Sequence, residues 1–194
     1  MEFQEVVAKR RMVRNFEERP VAAASLEHIL KNATHAPSAG FSQGWAFLAL
    51  SAPEDVARFW DAEWPEPRTG TRVGITRAPV IVVPMSHKQA YLDRYAEPDK
   101  GWTDRSESRW TIPFWHVDAG FASMLMLLTA VDEGLGALFF GLRNMNAVKE
   151  AFNIPEQHEP IGAIALGHPA PDEPSPSLRR GRRPVAEVVH RGAW

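Results

Sequence analysis

Three arginines stand within five residues near the N-terminus, at Arg10, Arg11 and Arg14. A guanidinium group stays charged at physiological pH, and its fork of N–H donors matches the oxygens of a phosphate. The apolar spacing of residues 2–10 predicts a helix. The three arginines lie at its end and just past it. They form a candidate anion site, with a solvated basic face near the end of that helix as the alternative.

A second dense group of arginines lies close to the C-terminus, within residues 179–183. An anionic ligand held between the two groups would be neutralised from both sides. A solvated basic tail explains the same composition equally well.

Small residues follow a second predicted helix, residues 23–34. They form the sequence Ala-Pro-Ser-Ala-Gly at positions 36–40. Residues without bulk let a backbone approach a flat ligand closely. Ser38 and Gln43 would supply hydrogen bonds to such a ligand. The alternative is a helix stop followed by a turn, because Pro37 and Gly40 favour both.

The stretch GLGALFFG at positions 134–141 is not a dinucleotide-binding fingerprint. Its glycine spacing differs, and it precedes a predicted strand where the fingerprint follows one. Taken alone, the stretch indicates a helix that ends at Gly134 and is followed by a buried strand.

The composition excludes several kinds of chemistry. With 194 residues, 44% hydrophobic and 24% charged, the chain fits one soluble globular domain. A net charge of −2 gives no overall basic field, so we expect neither nucleic acid nor membrane as a partner. The absence of cysteine excludes disulfides, thiolate catalysis, iron–sulfur clusters and cysteine zinc sites, and fits a reducing cytoplasm. The polar N-terminus does not fit a signal peptide, and the longest apolar run, residues 121–131, is too short for a membrane span.

Apolar periodicity predicts the elements that must position these groups. Besides the first helix, helices are predicted at 23–34, 53–60, 114–133 and 144–152, and strands at 45–50, 78–85, 137–140 and 161–166. Many helices with four short strands favour an α+β layered domain.

Three segments outside these elements have a distinct composition. Residues 91–110 are polar, aromatic and interrupted by glycine and proline, which predicts a lid or mobile surface segment. Residues 169–176 predict an extended arm, because their prolines cannot continue a helix. Residues 178–194 predict a basic arm that ends in a short strand or helix and leaves the body.

Four segments, taken in order, resemble the nitroreductase family of flavin enzymes. They span most of the chain: KRRMVRNFEERPV at 9–21, HAPSAGFSQGWAF at 35–47, AGFASMLMLLTAVDEGLGALFFG at 119–141, and IGAIALGHP with RRGRRPVAEVVH between 161 and 190. Each segment alone is weak, whereas four with matching order and spacing are specific.

The resemblance implies a single domain over residues 1–194 with an α+β fold. A central, mostly antiparallel sheet would be flanked by helices, with a long central helix buried at the core of a homodimer. Flavin mononucleotide (FMN) would bind at the subunit interface, and the C-terminal arm from about residue 170 would cross to the partner.

The resemblance also implies roles for individual residues. Arg10 would meet the flavin phosphate, and Arg14 would lie near the N1/O2 edge of the ring, where a positive charge stabilises the reduced flavin. Residues 37–40 would come from the partner chain, and the backbone of Phe140 and Gly141 would face the ring near N5. The full set of expected cofactor-binding residues is Arg10, Arg11, Met12, Arg14, Pro37, Ser38, Ala39, Gly40, Gln43, Phe139, Phe140, Gly141, Arg180 and Arg182, the last two closing on the phosphate.

The sequence departs from the family pattern at three positions. Met12 stands where the family often has Ser, which removes one hydrogen bond to the flavin that Arg11 would have to replace. Phe41 stands where Asn is common, which exchanges a polar contact for an aromatic wall of the substrate pocket. Gly44 replaces a common Pro.

The implied reaction passes a hydride from NADH or NADPH to flavin N5 and then electrons to a small, electron-poor substrate of nitroaromatic or quinone type, in ping-pong order. It requires no protein acid or base, so we assign no catalytic residue and no metal site, and expect His87, His116 and His168 to be structural. Substrate choice is expected from residues 88–118, where tryptophans would stack on the substrate or pack the lid onto the body. Open alternatives are reductive dehalogenation, flavin fragmentation, a deazaflavin donor, and a flavin carrier or sensor without turnover.

Overall fold

The computed structural model describes residues 1–171 and 175–194. Part of the predicted 169–176 arm, residues 172–174, lies outside the described residues. The helices are α1 (Phe3–Lys9), α2 (Ala23–Ala33), α3 (Pro53–Glu63), α4 (Thr71–Ile75), α5 (Lys88–Ala96), α6 (Phe114–Asp132), α7 (Met145–Ala151) and α8 (Val185–Val188), with 3₁₀ turns at Ala39–Phe41, Glu107–Arg109 and Pro176–Arg180.

An antiparallel sheet forms the centre of the structure. Its strands are β1 (Trp45–Leu50), β2 (Val80–Ser86), β3 (Gly136–Phe140), β4 (Glu159–Pro160) and β5 (Ala163–Gly167). They follow the order β1-β2-β5-β3, and β4 pairs with β2. The central strands β2 and β5 are buried along their whole lengths, as expected for runs rich in Val, Ile and Ala that are covered on both faces.

Helices cover both faces of this sheet. Successive side chains of β2 alternate between two apolar clusters: Val80 and Val82 pack with α2 and α6, whereas Ile81 and Val83 pack with α3 and α7. The predicted α+β layered fold is therefore confirmed, with the sheet as the middle layer.

Helix α6 is the longest helix that the structure describes. It has 19 residues and a mean hydropathy of 1.4, so by length and composition alone it would suffice to cross a membrane, which corrects the shorter apolar run expected from the sequence. Its buried side, which includes Ala122, Met126 and Ala130, packs on α2 and the sheet. The core of this layered fold explains its apolar character.

The segment predicted as a lid or mobile surface segment, residues 91–110, lies at the surface except at its start. Its first part belongs to α5, and Tyr91 and Leu92 are buried. The polar residues that suggested a surface segment lie on the outer side of this helix, as the exposed Asp93 shows. Helix α4 and strand β4 were not predicted, α3 extends to Glu63, and the last element is a helix.

The chain between α1 and α2 runs along the free edge of β3. Met12 forms a parallel bridge with Ala137, and the N–H of Val13 donates to the Ala137 carbonyl at 3.0 Å. A Cβ on Gly136 would lie 2.8 Å from a methyl group of Val13, so this close approach needs glycine. Residues 12–13 thus add an isolated bridge to the edge of the sheet.

Candidate functional site

The arginine segment, residues 10–14, lies beside the start of β3. Arg10 ends α1, and its N–H donates to the Val6 carbonyl at 2.9 Å. Arg10 and Arg14 are half-buried, whereas Arg11 is exposed and borders a different pocket beside the end of α6. The structure therefore brings Arg10, Met12 and Arg14 together along one edge and turns Arg11 away.

Helix α4 holds the other side of the arginine segment. A Cβ on Gly74 would lie 2.6 Å from the Arg14 carbonyl, and the N–H of Phe16 donates to the Gly74 carbonyl at 3.2 Å. The Arg14 guanidinium donates to the Met12 carbonyl at 3.2 Å. Backbone contacts from β3 and α4 thus fix the backbone that carries the arginines, and the bond to Met12 orients the Arg14 side chain.

The far end of β3 offers open space next to a rigid wall. Phe140 stacks on Trp60 with ring centres 5.6 Å apart, and Phe139 packs against Gly162, where a Cβ would meet its ring at 2.6 Å. A Cβ on Gly141 would meet nothing within 4 Å. Gly141 lies four residues beyond Ala137, which is about 13 Å along the strand.

A buried carboxylate orders the turn that follows Gly141. Glu63, which is fully buried, accepts the N–H of Arg143 at 2.8 Å and that of Asn144 at 3.1 Å. These bonds satisfy backbone donors at the start of α7, which a helix cannot satisfy by itself. These hydrogen bonds therefore fix the backbone that follows Gly141 and borders the open space there.

The small-residue loop, residues 37–43, is held by three side chains. The N–H of Ala39 donates to Asp118 at 2.8 Å, the N–H of Gln43 donates to the Ser38 hydroxyl at 3.0 Å, and Arg94 donates to the Gly40 carbonyl at 2.8 Å. Ser38 therefore stabilises the loop itself.

The backbone of this loop is strained. Gly40, Phe41 and Gln43 have φ values of 61°, 57° and 50°. Left-handed conformations are uncommon for residues with a side chain, and they concentrate at functional sites. The backbone of Phe41 is strained, and its side chain is 74% exposed and lies outside the core of its own chain.

The arginine segment and the 37–43 loop lie at opposite corners of the sheet. Met12 is four strand spacings from β1, which is about 19 Å. The register places Met12 level with Val80, whereas the loop enters β1 opposite Ser86, about 20 Å further along β2. One chain alone does not bring these two groups together.

The two C-terminal arginines of the predicted site lie on the tail. Arg180 and Arg182 are exposed, and within the described ranges 1–171 and 175–194 neither forms an ion pair. The tail also exposes Leu178, Val185 and Trp194. The predicted clamp between the two groups of arginines is therefore not formed within one chain.

The histidines form contacts that the sequence did not reveal. His116 lies 3.0 Å from the Ser86 hydroxyl and 3.8 Å from the Glu159 carboxylate. His87 stacks on His158 at 4.7 Å, and burial lowers the pKa of His158. His168 contacts Arg19.

The aromatic residues of the 88–118 region pack on one another. Trp110 is central, with ring centres 4.5 Å from Tyr95, 5.5 Å from Trp102 and 6.0 Å from Trp115. The acidic groups nearby are paired, Asp99 with Arg94 and Asp104 with Arg109. These contacts favour a role of the tryptophans in packing this region onto the body over a role in stacking on the substrate.

Sequence reasoning missed Glu63, Tyr91 and Asp118. Tyr91 donates its hydroxyl to Asp118 at 2.8 Å, and both residues are buried. One signal was available for Asp118, because a carboxylate within an apolar helical run is rarely buried without a partner. Glu63 gave no such signal, since its helix ends in mixed polar sequence.

Comparisons with known proteins bear on the family and the fold. The chain is 24% identical over 193 residues to a protein of Archaeoglobus fulgidus provisionally named NADH dehydrogenase/NAD(P)H nitroreductase, covering 97% of each. It is 24% identical to an iodotyrosine deiodinase of Haliscomenobacter hydrossis, covering 97% of this chain and 89% of that one. The fold matches a provisionally named nitroreductase of Exiguobacterium sibiricum solved with FMN, with a TM-score of 0.75, 21% identity, and coverage of 98% and 97%. The profile of the nitroreductase family matches residues 7–168, more than four-fifths of the sequence, and the chain therefore belongs to the nitroreductase family.

Proposed function

We propose that the protein is an FMN-dependent oxidoreductase that passes electrons from NADH or NADPH to a small, electron-poor acceptor of nitroaromatic or quinone type. One observation carries the proposal. Two half-buried arginines, Arg10 and Arg14, are fixed beside a strand whose other end opens at Gly141. A ligand with an anionic end and a flat end fits that arrangement.

The residues present fit FMN. Arg10 would hold the phosphate as a charge-assisted hydrogen-bond donor. Arg14, fixed against α4, would place its charge near the N1/O2 edge of the ring. The open backbone at Phe140 and Gly141 would face the ring near N5, and Phe140 is kept in position by its stack on Trp60.

Bound FMN would supply the redox chemistry, taking a hydride from the nicotinamide and releasing electrons to the acceptor in ping-pong order. The protein's own side chains would bind the cofactor, orient the substrates and exclude water from the site. None is required as an acid or base, so activity should depend on how well the cofactor and the two substrates are positioned.

The proposal includes a homodimer in which each site uses both chains. Val117, Phe121, Met124 and Leu128 are spaced four, three and four residues apart on α6, and Phe121 and Met124 are exposed. The chain exposes 11,617 Å², against about 9,200 Å² for a compact monomer of 21.7 kDa. An apolar helix stripe and excess surface both favour a second copy as partner.

In such a dimer the partner would contribute its 37–43 loop to the ring and its Arg180 and Arg182 to the phosphate. The tail beyond about residue 170 would cross to the other subunit, which would explain why it has so few contacts with its own body. The single domain over 1–194, the small-molecule acceptor and a cytoplasmic location stay predictions.

The names of similar proteins support the cofactor and donor. The structure from Exiguobacterium sibiricum was solved in complex with FMN, and the name of the Archaeoglobus fulgidus protein includes NAD(P)H. The likeness to an iodotyrosine deiodinase makes reductive dehalogenation the second candidate reaction. Asp99 and Asp104 are paired with arginines, so neither is poised to grip the ammonium group of a zwitterionic substrate.

The visible spectrum of the purified protein provides the first test. We expect a yellow protein that oxidises NADH or NADPH when a nitroaromatic or quinone is present. A colourless protein that FMN cannot reconstitute would contradict the cofactor. Bound flavin without oxidation of any donor, deazaflavins included, would instead indicate a carrier or sensor.

A further inference from the structure

Asp118 is a buried carboxylate inside the apolar helix α6, with 2% of its surface exposed. Its Oδ2 atom accepts two hydrogen bonds, one from the N–H of Ala39 and one from the Tyr91 hydroxyl, each 2.8 Å long. Burying an ionised group is costly unless it is hydrogen-bonded. Asp118 lies where α5, α6 and the 37–43 loop meet, and these two hydrogen bonds offset the cost of its burial.

Tyr91 is the second member of this contact. Its side chain is fully buried, and burial together with the hydrogen bond to Asp118 raises the pKa of its phenol. The hydroxyl thus remains a donor over the whole working range of pH. A Cβ on Gly44, just after the loop, would lie 2.4 Å from the Tyr91 ring, so the ring also fixes where the loop enters β1.

Helix α5 holds the same loop at a second place. Arg94 donates to the Gly40 carbonyl, and a Cβ on Gly40 would lie 2.6 Å from the Tyr95 ring. Neither α5 nor α6 belongs to the arginine segment at the opposite corner of the sheet.

The loop needs such contacts because its backbone is strained. Left-handed residues such as Phe41 and Gln43 persist only where their surroundings determine the conformation. We propose that Asp118, acting with Tyr91, is a positioning residue that holds the 37–43 loop in the conformation that lines the flavin of the partner subunit. This inference rests on the proposed function for the flavin, and on the structure alone for the contact.

Amide hydrogen exchange in the flavin-free protein tests the contact itself. We expect the Ala39 amide to be protected in the wild type and to exchange at least tenfold faster in Asp118→Ala. Asp118→Asn retains an acceptor oxygen and should restore most of the protection. Ser123→Ala is the matched control, because it removes another buried polar group of α6, whose hydroxyl donates to the Ala119 carbonyl of the same helix.

The FMN dissociation constant and the circular dichroism of bound flavin test the consequence. Loss of a charge-assisted hydrogen bond predicts a dissociation constant about tenfold to a hundredfold higher in Asp118→Ala. Asp118→Asn should stay within about threefold of the wild type, and Tyr91→Phe should fall between the two. Ser123→Ala should change neither readout.

The outcomes separate this inference from the proposed function. If the wild type binds no FMN, the cofactor assignment fails, and the flavin role of Asp118 fails with it. If the wild type binds FMN while Asp118→Ala leaves Ala39 exchange or FMN affinity unchanged, the positioning role alone is overturned. Should Asp118→Ala not fold, Tyr91→Phe with unchanged affinity and exchange leads to the same conclusion.

Discussion

The carboxylate of Glu63 accepts the backbone N–H of Asn144 at 3.1 Å and so joins the end of α3 to the first turn of α7. The same carboxylate accepts the N–H of Arg143. Because both donors lie beside β3, this buried contact supports the wall next to Gly141.

Replacement of Glu63 by Ala should leave two backbone donors without a partner. We expect a loss of about 2–4 kcal/mol in the free energy of unfolding, and about half of that for Glu63→Gln. Urea denaturation measures both values. Glu66→Ala, at an exposed position three residues after Glu63, should change stability by less than about 0.5 kcal/mol. Equal effects for Glu63→Ala and Glu66→Ala would show that the contact is unimportant.

Replacement of Arg10 by Ala should weaken FMN binding without unfolding the protein. Removing one charge-assisted contact to a phosphate predicts a dissociation constant about tenfold to a hundredfold higher. Fluorescence titration of the flavin-free protein measures it, with Lys31→Ala on the exposed side of α2 as the control. Arg11→Ala provides a second comparison. Arg11 borders a different pocket, so its loss should have little effect on FMN binding.

Mixed dimers should reveal that each flavin site uses two chains. In a dimer of one Arg10→Ala chain and one Asp118→Ala chain, one site keeps both the arginine and the well-ordered loop. We expect one high-affinity FMN per dimer. A dimer of a wild-type chain and a chain with both substitutions has one defect in each site and should show none. The opposite result would place both groups in a site formed by one chain.

Replacement of Trp110 by Ala should change the preference between acceptors while flavin content stays near one per chain. Trp110 contacts Tyr95, Trp102 and Trp115, so its removal opens space in the aromatic cluster and also lowers stability. Trp110→Phe keeps part of that packing and should alter preference with less loss of stability. Kinetics with a nitroaromatic and a quinone, together with the flavin spectrum, provide the readouts. Loss of flavin in both variants would place Trp110 in the cofactor pocket.

Stability should fall below pH 6.5 because of His158. Burial, with positive charge from His87 and Lys149, lowers the pKa of His158 from its ordinary value of 6.5. The unfolded chain therefore binds a proton more readily, so this contribution is complete above pH 6.5 and is lost as the pH falls. Between pH 7 and 5, we expect the wild type to lose more stability than His158→Asn, as measured by urea denaturation at each pH. His190→Asn in the exposed tail should follow the wild type, and parallel curves for all three proteins would contradict the assignment.

The sequence predicted the sheet well because local patterns determine it. Residues 45–50 form β1 as expected, and the β-branched run that contains Val82 forms the buried strand β2. Helix α6 ends one residue before the expected bound, and Gly134 follows it with a φ of 74°. In each case the residues that decide the structure are neighbours in the sequence.

Contacts between distant residues could not be predicted in this way. Asp118 and Ala39 are 79 positions apart, and nothing near either residue identifies the other. The prediction of a surface segment was wrong for Tyr91 and Leu92 for the same reason, since Tyr91 is buried by a partner on α6 and not by its own polar neighbours. The separation of the arginine segment from the 37–43 loop required the strand order and register.

The placement of the arginine segment has a consequence for the newly made chain. Residues 10–14 leave the ribosome early, yet Ala137, whose carbonyl accepts the N–H of Val13, is made much later. At ordinary rates of synthesis, the intervening stretch of about 120 residues takes roughly 6–24 s. During that time the arginines have no strand to lie on, so a nascent chain cannot retain a phosphate there. If FMN binds as proposed, its capture is thus confined to chains whose synthesis has passed β3.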